Sequence, residues 1–167
     1  MQEELLSVVD EHDRVVGHRE RGEVHRLGLR HRAVHVMVFN RRGEVFLQKR
    51  SLSKSENPGL WDSSAAGHVD HAEDYDACVL REVAEELGVT LDEAPEALFR
   101  IDSSPMTGME FIWVYRAVHD GPFTLDRDEI DDGRWIEPQA LDAWISDGAE
   151  GLTPPLVYIW QRLRGGA

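Results

Sequence analysis

The chain has a single cysteine, Cys78. No internal disulfide can form, which fits a reducing compartment. Basic residues are also scarce. Eighteen Lys and Arg face 32 Asp and Glu, for a formal net charge of −14. Nucleic-acid polymers are usually met by basic surfaces, so such a partner is not expected. A small anionic ligand is not excluded, because a bound metal reverses the local field. No apolar run approaches the roughly 20 residues that span a bilayer, so no membrane partner is expected either. The opening residues, MQEELLSVVDEHDR, lack the basic-then-apolar pattern of a secretion signal. These absences together lead to the expectation of a cytoplasmic protein. Repeats, low-complexity tracts and long linkers are missing too. The 167 residues, 41% hydrophobic and 30% charged, therefore read as one globular domain, 1–167.

Strand and helix signals are mixed along the chain. Leu6–Val9 starts a strand, with a turn at Glu11–Arg14 before Val15-Val16-Gly17. A short helix or loop is expected around Arg19–Leu29. Ala33–Phe39 is apolar and rich in β-branched residues, and reads as a buried central strand. Asn40–Gly43 has turn chemistry, and Glu44–Arg50 reads as the hairpin partner. A polar loop, Ser51–Gly59, leads to short extended pieces at Leu60–Ser63 and Ser64–Gly67. Further strands are expected at Leu98–Ile101, Glu110–Ala117 and Trp135–Ile136, and terminal helices at Pro138–Ser146 and Pro154–Leu163. Strands with helices on both sides indicate an α/β protein, a three-layer α/β/α sandwich.

The segment Gly67–Val89, GHVDHAEDYDACVLREVAEELGV, carries the chemistry. Its spacing predicts a helix from about Asp74 to Leu87, capped by Gly88. Tyr75, Cys78, Val79, Val83 and Leu87 form an apolar stripe. Glu82, Glu85 and Glu86 fall at i, i+3 and i+4 and share another face. Carboxylates that close repel one another unless a cation sits among them. Carboxylate oxygens on a rigid element suit Mg2+ or Mn2+, which leave positions for water and substrate phosphates. A merely solvated acidic face would leave the flanking glycines and Arg81 unexplained.

These residues resemble the signature of the Nudix hydrolases. That signature runs glycine, five residues, glutamate, seven residues, then Arg-Glu-aliphatic, one residue, Glu-Glu, one residue and Gly-aliphatic. Gly67, Glu73, Arg81-Glu82-Val83, Glu85-Glu86 and Gly88-Val89 fill every specified position. The resemblance implies the Nudix fold, a mixed β-sheet between helices. It also implies a metal-dependent pyrophosphohydrolase. Glu82 and Glu86 would be metal ligands, Glu85 a ligand directly or through water, and the Gly67 carbonyl a further oxygen. Arg81 and Glu73 would form an ion pair that orients the helix, although a purely structural pair uses the same residue types. The general base is left open among Glu82, Glu85, Glu110 and Glu129.

A second resemblance covers roughly residues 5–145. Val9-Asp10-Glu11, His31-Arg32-Ala33, Gln48–Ser51, Ser53-Lys54, Pro58–Trp61 and Gly67-His68 are similar to segments of the isopentenyl-diphosphate isomerases, which share the Nudix fold. In that family three histidines and two glutamates bind a divalent metal, and a cysteine and a glutamate move protons. The resemblance places His25, His31, His68 and Glu110 near the metal positions. The cysteine position holds Ala66 and the second glutamate position Gly108. Alanine cannot act as an acid or base. The chain is therefore read as isomerase architecture with hydrolase chemistry, with an isomerase or a catalytically inactive binding module as alternatives. His12, His18, His71 and His119 are read as surface residues, and His35 as either a core or a substrate-facing residue.

The expected partner is a small-molecule diphosphate: nucleoside di- or triphosphates first, other organic pyrophosphates next. Arg50, His68, Trp61 and Trp113 are candidates to pair with phosphate or stack on a base, as is Phe111. The residues leave open whether the chain forms a homodimer.

Overall fold

Val34, Val36 and Val38 alternate along one strand with Ala33, His35 and Met37, so both faces of that strand are committed to burial. A computed structural model, describing residues 4–165, places this strand, β3 (His31–Phe39), at the centre of a mixed nine-stranded sheet. It follows β1 (Leu5–Val9), β2 (Val15–Glu20) and a short helix, α1 (Arg21–Leu27). It precedes β4 (Val45–Arg50), β5 (Trp61–Asp62) and β6 (Ala65–His68). Then come α2 (Tyr75–Leu87), β7 (Glu96–Ile101), β8 (Glu110–Val118), β9 (Ile130–Ile136), α3 (Pro138–Ser146) and α4 (Pro154–Gly165).

β8 runs parallel to β3 along its whole length, from His31 opposite Glu110 to Phe39 opposite Val118. The other edge of β3 is shared. β1 meets it at His31, β6 covers Ala33–Val36, and β4 touches only at Phe39 opposite Val45. The hairpin expected after β3 therefore opens at once. β4 turns away to pair with β5 and β9, and β6 is laid along β3 in its place.

Helix α2 covers one face, packing Cys78, Val79, Val83 and Leu87 on Val34, Val36, Val38 and Tyr115. On the other face α3 and α4 pack Leu141, Leu156, Ile159 and Trp160 on Met37, Ile112 and Val114. The three-layer α/β/α arrangement is thus observed. Both ends of α2 are fixed by sequence. Asp74 caps it by accepting a 2.7 Å bond from the Ala77 N–H, and Gly88 ends it at φ 69°.

Some expectations change. β9 begins at Ile130 rather than Trp135, because its Asp-Asp-Gly stretch pairs with Gln48 and Lys49 of β4. Ser103–Gly108, for which no element was expected, contains a capped 3-10 turn at Pro105–Thr107. The buried Thr107 hydroxyl accepts from the Ser104 and Glu110 N–H groups and donates to their carbonyls, which fixes the start of β8. Among the described residues no helix is long and apolar enough to cross a membrane.

Candidate active site

Where α2 crosses β6, two strand residues without bulk let the helix carboxylates approach the backbone. A Cβ on Gly67 would meet the Glu82 carboxyl carbon at 2.1 Å, so a side chain there would displace that carboxylate. Next to it, the Ala66 N–H donates to Glu86 Oε1 at 3.1 Å, and Gln48 Nε2 donates to the same oxygen at 2.8 Å. Glu82 and Glu86 are each only 8% exposed. They lie inside the fold, not on a solvated helix face.

Burial raises both acids. Desolvation moves the Glu82 carboxyl up to about 7, against the pull of Arg81. Glu86, more deeply buried and facing Glu82, is raised well above the usual carboxylate range. Two buried carboxyls facing each other, with only Glu82 ion-paired to Arg81, form a donor set suited to a hard divalent cation. Glu85 differs. It is exposed, and its carboxylate turns to Arg81 Nη1 at 3.2 Å.

Arg81 joins the parts of this region. It donates to both oxygens of Glu73 at 2.8 Å, to Glu82 at 2.8 Å and to the His68 carbonyl at 3.0 Å. The expected Arg81–Glu73 pair is therefore present, and the same guanidinium also ties α2 to the end of β6.

A second cluster stands at the start of β3. The imidazoles of His25, His31 and His68 offer nitrogens that all lie within 4.8 Å of one another. His31 Nδ1 bonds the Leu29 carbonyl at 2.8 Å and therefore carries its proton there. His31 Nε2 is then a lone-pair nitrogen, buried and without a hydrogen-bond partner among the described residues. Glu110, opposite His31 in register, brings Oε2 to 2.9 Å from His68 Nε2 and 3.4 Å from His31 Nε2. Burial alone would raise the Glu110 carboxyl, but its ion pair with His68 helps hold it well below the usual range. Burial would lower His68, yet Glu110 and Glu4 raise it to about 9. Three imidazoles and a carboxylate around a buried lone pair are a donor set for a transition metal.

The carboxylate platform and, through His68 and Glu110, the histidine cluster border one cavity of about 880 Å³. Arg50, Lys54 and Arg21 add positive charge to walls otherwise lined by carboxylates. Glu129 also lines it and is ion-paired to Lys54. Trp61 and Trp113 do not line it. Trp61 packs against the α4-side core under Arg134, and Trp113 borders the α2-side core with Tyr75. Phe111 is buried beneath Arg100. Sequence reading passed over Gln48, Asp62, Glu4, Asp126 and Asp128, which also take part in the site. Gln48 and Asp62 had a local signal, each being a polar residue at a buried strand position.

A model of the NUDIX domain matches residues 29–155. The chain is 37% identical over 139 residues to an uncharacterised Nudix hydrolase of Pseudomonas aeruginosa, covering 81% of this chain and 80% of that protein. It is 32% identical to an isopentenyl-diphosphate Delta-isomerase of Burkholderia multivorans, covering 90% of this chain and 88% of the relative. The crystal structure of DR0079 from Deinococcus radiodurans superposes with a TM-score of 0.82 at 32% identity, covering 95% of this chain and 98% of that one. The chain belongs to the Nudix family and is a hydrolase of phosphoanhydride bonds.

Proposed function

We propose that the chain is a metal-dependent pyrophosphohydrolase that cleaves a diphosphate linkage in nucleoside di- or triphosphates or related organic pyrophosphates. The observation that carries this reading is the pair of buried carboxyls, Glu82 and Glu86, packed on Gly67 and Ala66 at the floor of the cavity. They would hold Mg2+ or Mn2+, with the Gly67 carbonyl and Glu85 completing the set directly or through water. Such a cation neutralises charge that grows on the phosphate oxygens as the P–O bond breaks, and it acidifies water.

The protein's own groups supply the rest. Arg81 and Glu73 hold the end of β6 and α2 in one register, so the carboxylates face the cavity. Arg50 and Lys54 draw the anionic substrate in. Glu85, exposed at the cavity wall and 3.2 Å from Arg81 Nη1, would accept a proton from the attacking water. Glu110 is a weaker base because His68 stabilises its ionised form. Glu129 is engaged with Lys54.

The histidine cluster supports a second metal position, with His25, His31, His68 and Glu110 as donors. The orphan lone pair on His31 is the observation that favours it. The isomerase alternative lacks its thiol. Ala66 occupies the cavity position, and Cys78 is buried on α2, where desolvation pushes its thiol far up.

The decisive experiment incubates purified protein with a panel of nucleoside and organic diphosphates, with Mg2+ or Mn2+, and measures released phosphate and pyrophosphate. At least one compound is expected to turn over, and Glu86→Gln is expected to abolish the release. Undiminished release by Glu86→Gln would refute the platform. Formation of dimethylallyl diphosphate from its isomer would replace the hydrolase reading by the isomerase one.

A further inference from the structure

His35 is 5% exposed and sits on the central strand, where most neighbours are aliphatic. Its register partners are Ala66 on β6 and Val114 on β8, and it lines the cavity. A buried imidazole needs partners, and on one side it has them. His35 Nδ1 lies 2.7 Å from Ser63 Oγ and 4.0 Å from Asp62 Oδ1. His35 Nε2 has no hydrogen-bond partner among the described residues.

The hydrogen-bond pattern decides what Nε2 offers. Ser63 is fully buried, and its hydroxyl touches no acceptor among the described residues except His35 Nδ1. Leaving a buried hydroxyl hydrogen unpaired is costly, so Ser63 donates to Nδ1. The imidazole proton of the neutral ring then sits on Nε2. If the ring takes a second proton, Nε2 still carries one. In both states an N–H is presented to the cavity.

Asp62, also 5% exposed, is the anchor behind this corner. Its Oδ1 accepts the Ser63 N–H at 2.8 Å and the Thr153 hydroxyl at 2.9 Å, and its Oδ2 accepts Arg50 Nη1 at 3.3 Å. Arg50 is fixed a second time by donating from Nε to the Glu56 carbonyl at 3.0 Å. One buried carboxylate thus sets both Arg50 and the Ser63–His35 pair. Asp62 lines the cavity too, but both its oxygens are engaged by Arg50, Ser63 and Thr153, which leaves the donors of His35 and Arg50 to meet a ligand. Such a corner suits an anionic oxygen.

We propose that His35 is a substrate-binding residue whose Nε2–H donates to a phosphoryl oxygen of the diphosphate, beside Arg50, and that Asp62 and Ser63 are its positioning residues. This deepens the hydrolase reading and rests on it. The donor count assigns the ligand chemistry: a phosphate oxygen, not a metal ion.

The test uses the full chain with Mg2+ and methylenediphosphonate, whose P–C–P bridge is not hydrolysed, and reads affinity by calorimetry. His35→Phe keeps the size of the ring and removes the donor. It is expected to weaken binding at least tenfold, the usual scale for a hydrogen bond to a charged group. His35→Gln, which returns an N–H, is expected to restore most of that loss. In the unmutated protein, 15N-edited NMR of the ring should show the proton on Nε2 and a shift of that resonance on adding the diphosphonate with Mg2+. Unchanged affinity in His35→Phe, or an Nε2 that bears no proton and does not respond, overturns the assignment while the hydrolase reading stands. If the unmutated protein neither binds the diphosphonate with Mg2+ nor releases phosphate from any compound, both readings fall together.

Discussion

A Cβ placed on Gly67 would lie 2.1 Å from the carboxyl carbon of Glu82 and 2.2 Å from its Oε1. Glycine is required here by proximity. Its backbone conformation is one that alanine also adopts, so a substitution acts through the carboxylate and not through strain. Gly67→Ala is expected to fold, to lose about 1–3 kcal/mol to overpacking, and to drive Glu82 from its place. Hydrolysis should fall at least a hundredfold with a parallel loss of Mn2+ affinity, measured by calorimetry. Near-normal metal binding in a folded Gly67→Ala protein would show that the approach of Glu82 to β6 is incidental.

The buried acids give a signed dependence on pH. The Glu82 carboxyl is raised from the ordinary 4.5 to about 7, and Glu86 is raised too. A raised acid binds its proton more tightly in the folded state, so its contribution to stability is complete below about 4.5. It is lost as pH climbs through about 7, by a few kcal/mol at most. Metal-free protein should therefore show a melting temperature that falls over this window, relative to Glu86→Gln. Mn2+, which binds the ionised carboxylates, should restore it at the upper end of the window. Parallel melting curves for the two proteins across the window would count against proton sharing at the platform.

Arg81 tests how far the platform depends on its frame. Its guanidinium binds both oxygens of Glu73 while reaching Glu82 and the His68 carbonyl. Lysine carries the charge but not the fork, so it cannot make these bonds together. Arg81→Lys is expected to cost about 2 kcal/mol in chemical denaturation, less than a fully buried pair because the side chain is partly exposed. It should also lower kcat at least tenfold. A loss of stability with kcat intact would make the pair structural only.

Much of this frame could be read from residues adjacent in the chain. Asp74, Gly88 and the glutamate spacing located α2 to within a residue, because caps and periodicity are local. The depth of Glu82 and Glu86 was only half legible. Helical spacing puts them three or four residues after Cys78, Val79 and Val83, on the buried face, but their charge suggested solvent. They are buried because β6 crosses beneath them with Gly67 and Ala66, and that crossing depends on β3 pairing with β6 instead of continuing along β4. The pairing of Glu85 with Arg81 is by contrast an i,i+4 contact that the spacing already offers. The histidine cluster and Glu110 were suggested together by resemblance, and the parallel register of His31 with Glu110, between segments far apart in sequence, is what brings them together. Trp61 and Trp113 show the converse. Their residue type fits base stacking, and only the packing shows that neither lines the cavity.

The histidine cluster should discriminate metals by softness. His31 Nδ1 is bound to the Leu29 carbonyl, which leaves the lone pair on Nε2 among His25, His68 and Glu110. Imidazole nitrogens favour Co2+ or Zn2+ over Mg2+. One equivalent of Co2+ is expected to give visible d–d absorption that Zn2+ displaces and Mg2+ does not. His31→Ala should remove this band while leaving Mn2+ binding at Glu82 and Glu86 in place. The pH dependence follows from His68. Burial would lower it, but Glu110 and Glu4 hold it protonated up to about 9. A metal must displace that proton, so Co2+ affinity should rise with pH until about 9 and level off above it. Absorption that persists in His31→Ala, or affinity flat from pH 6 to 9, would locate the Co2+ elsewhere.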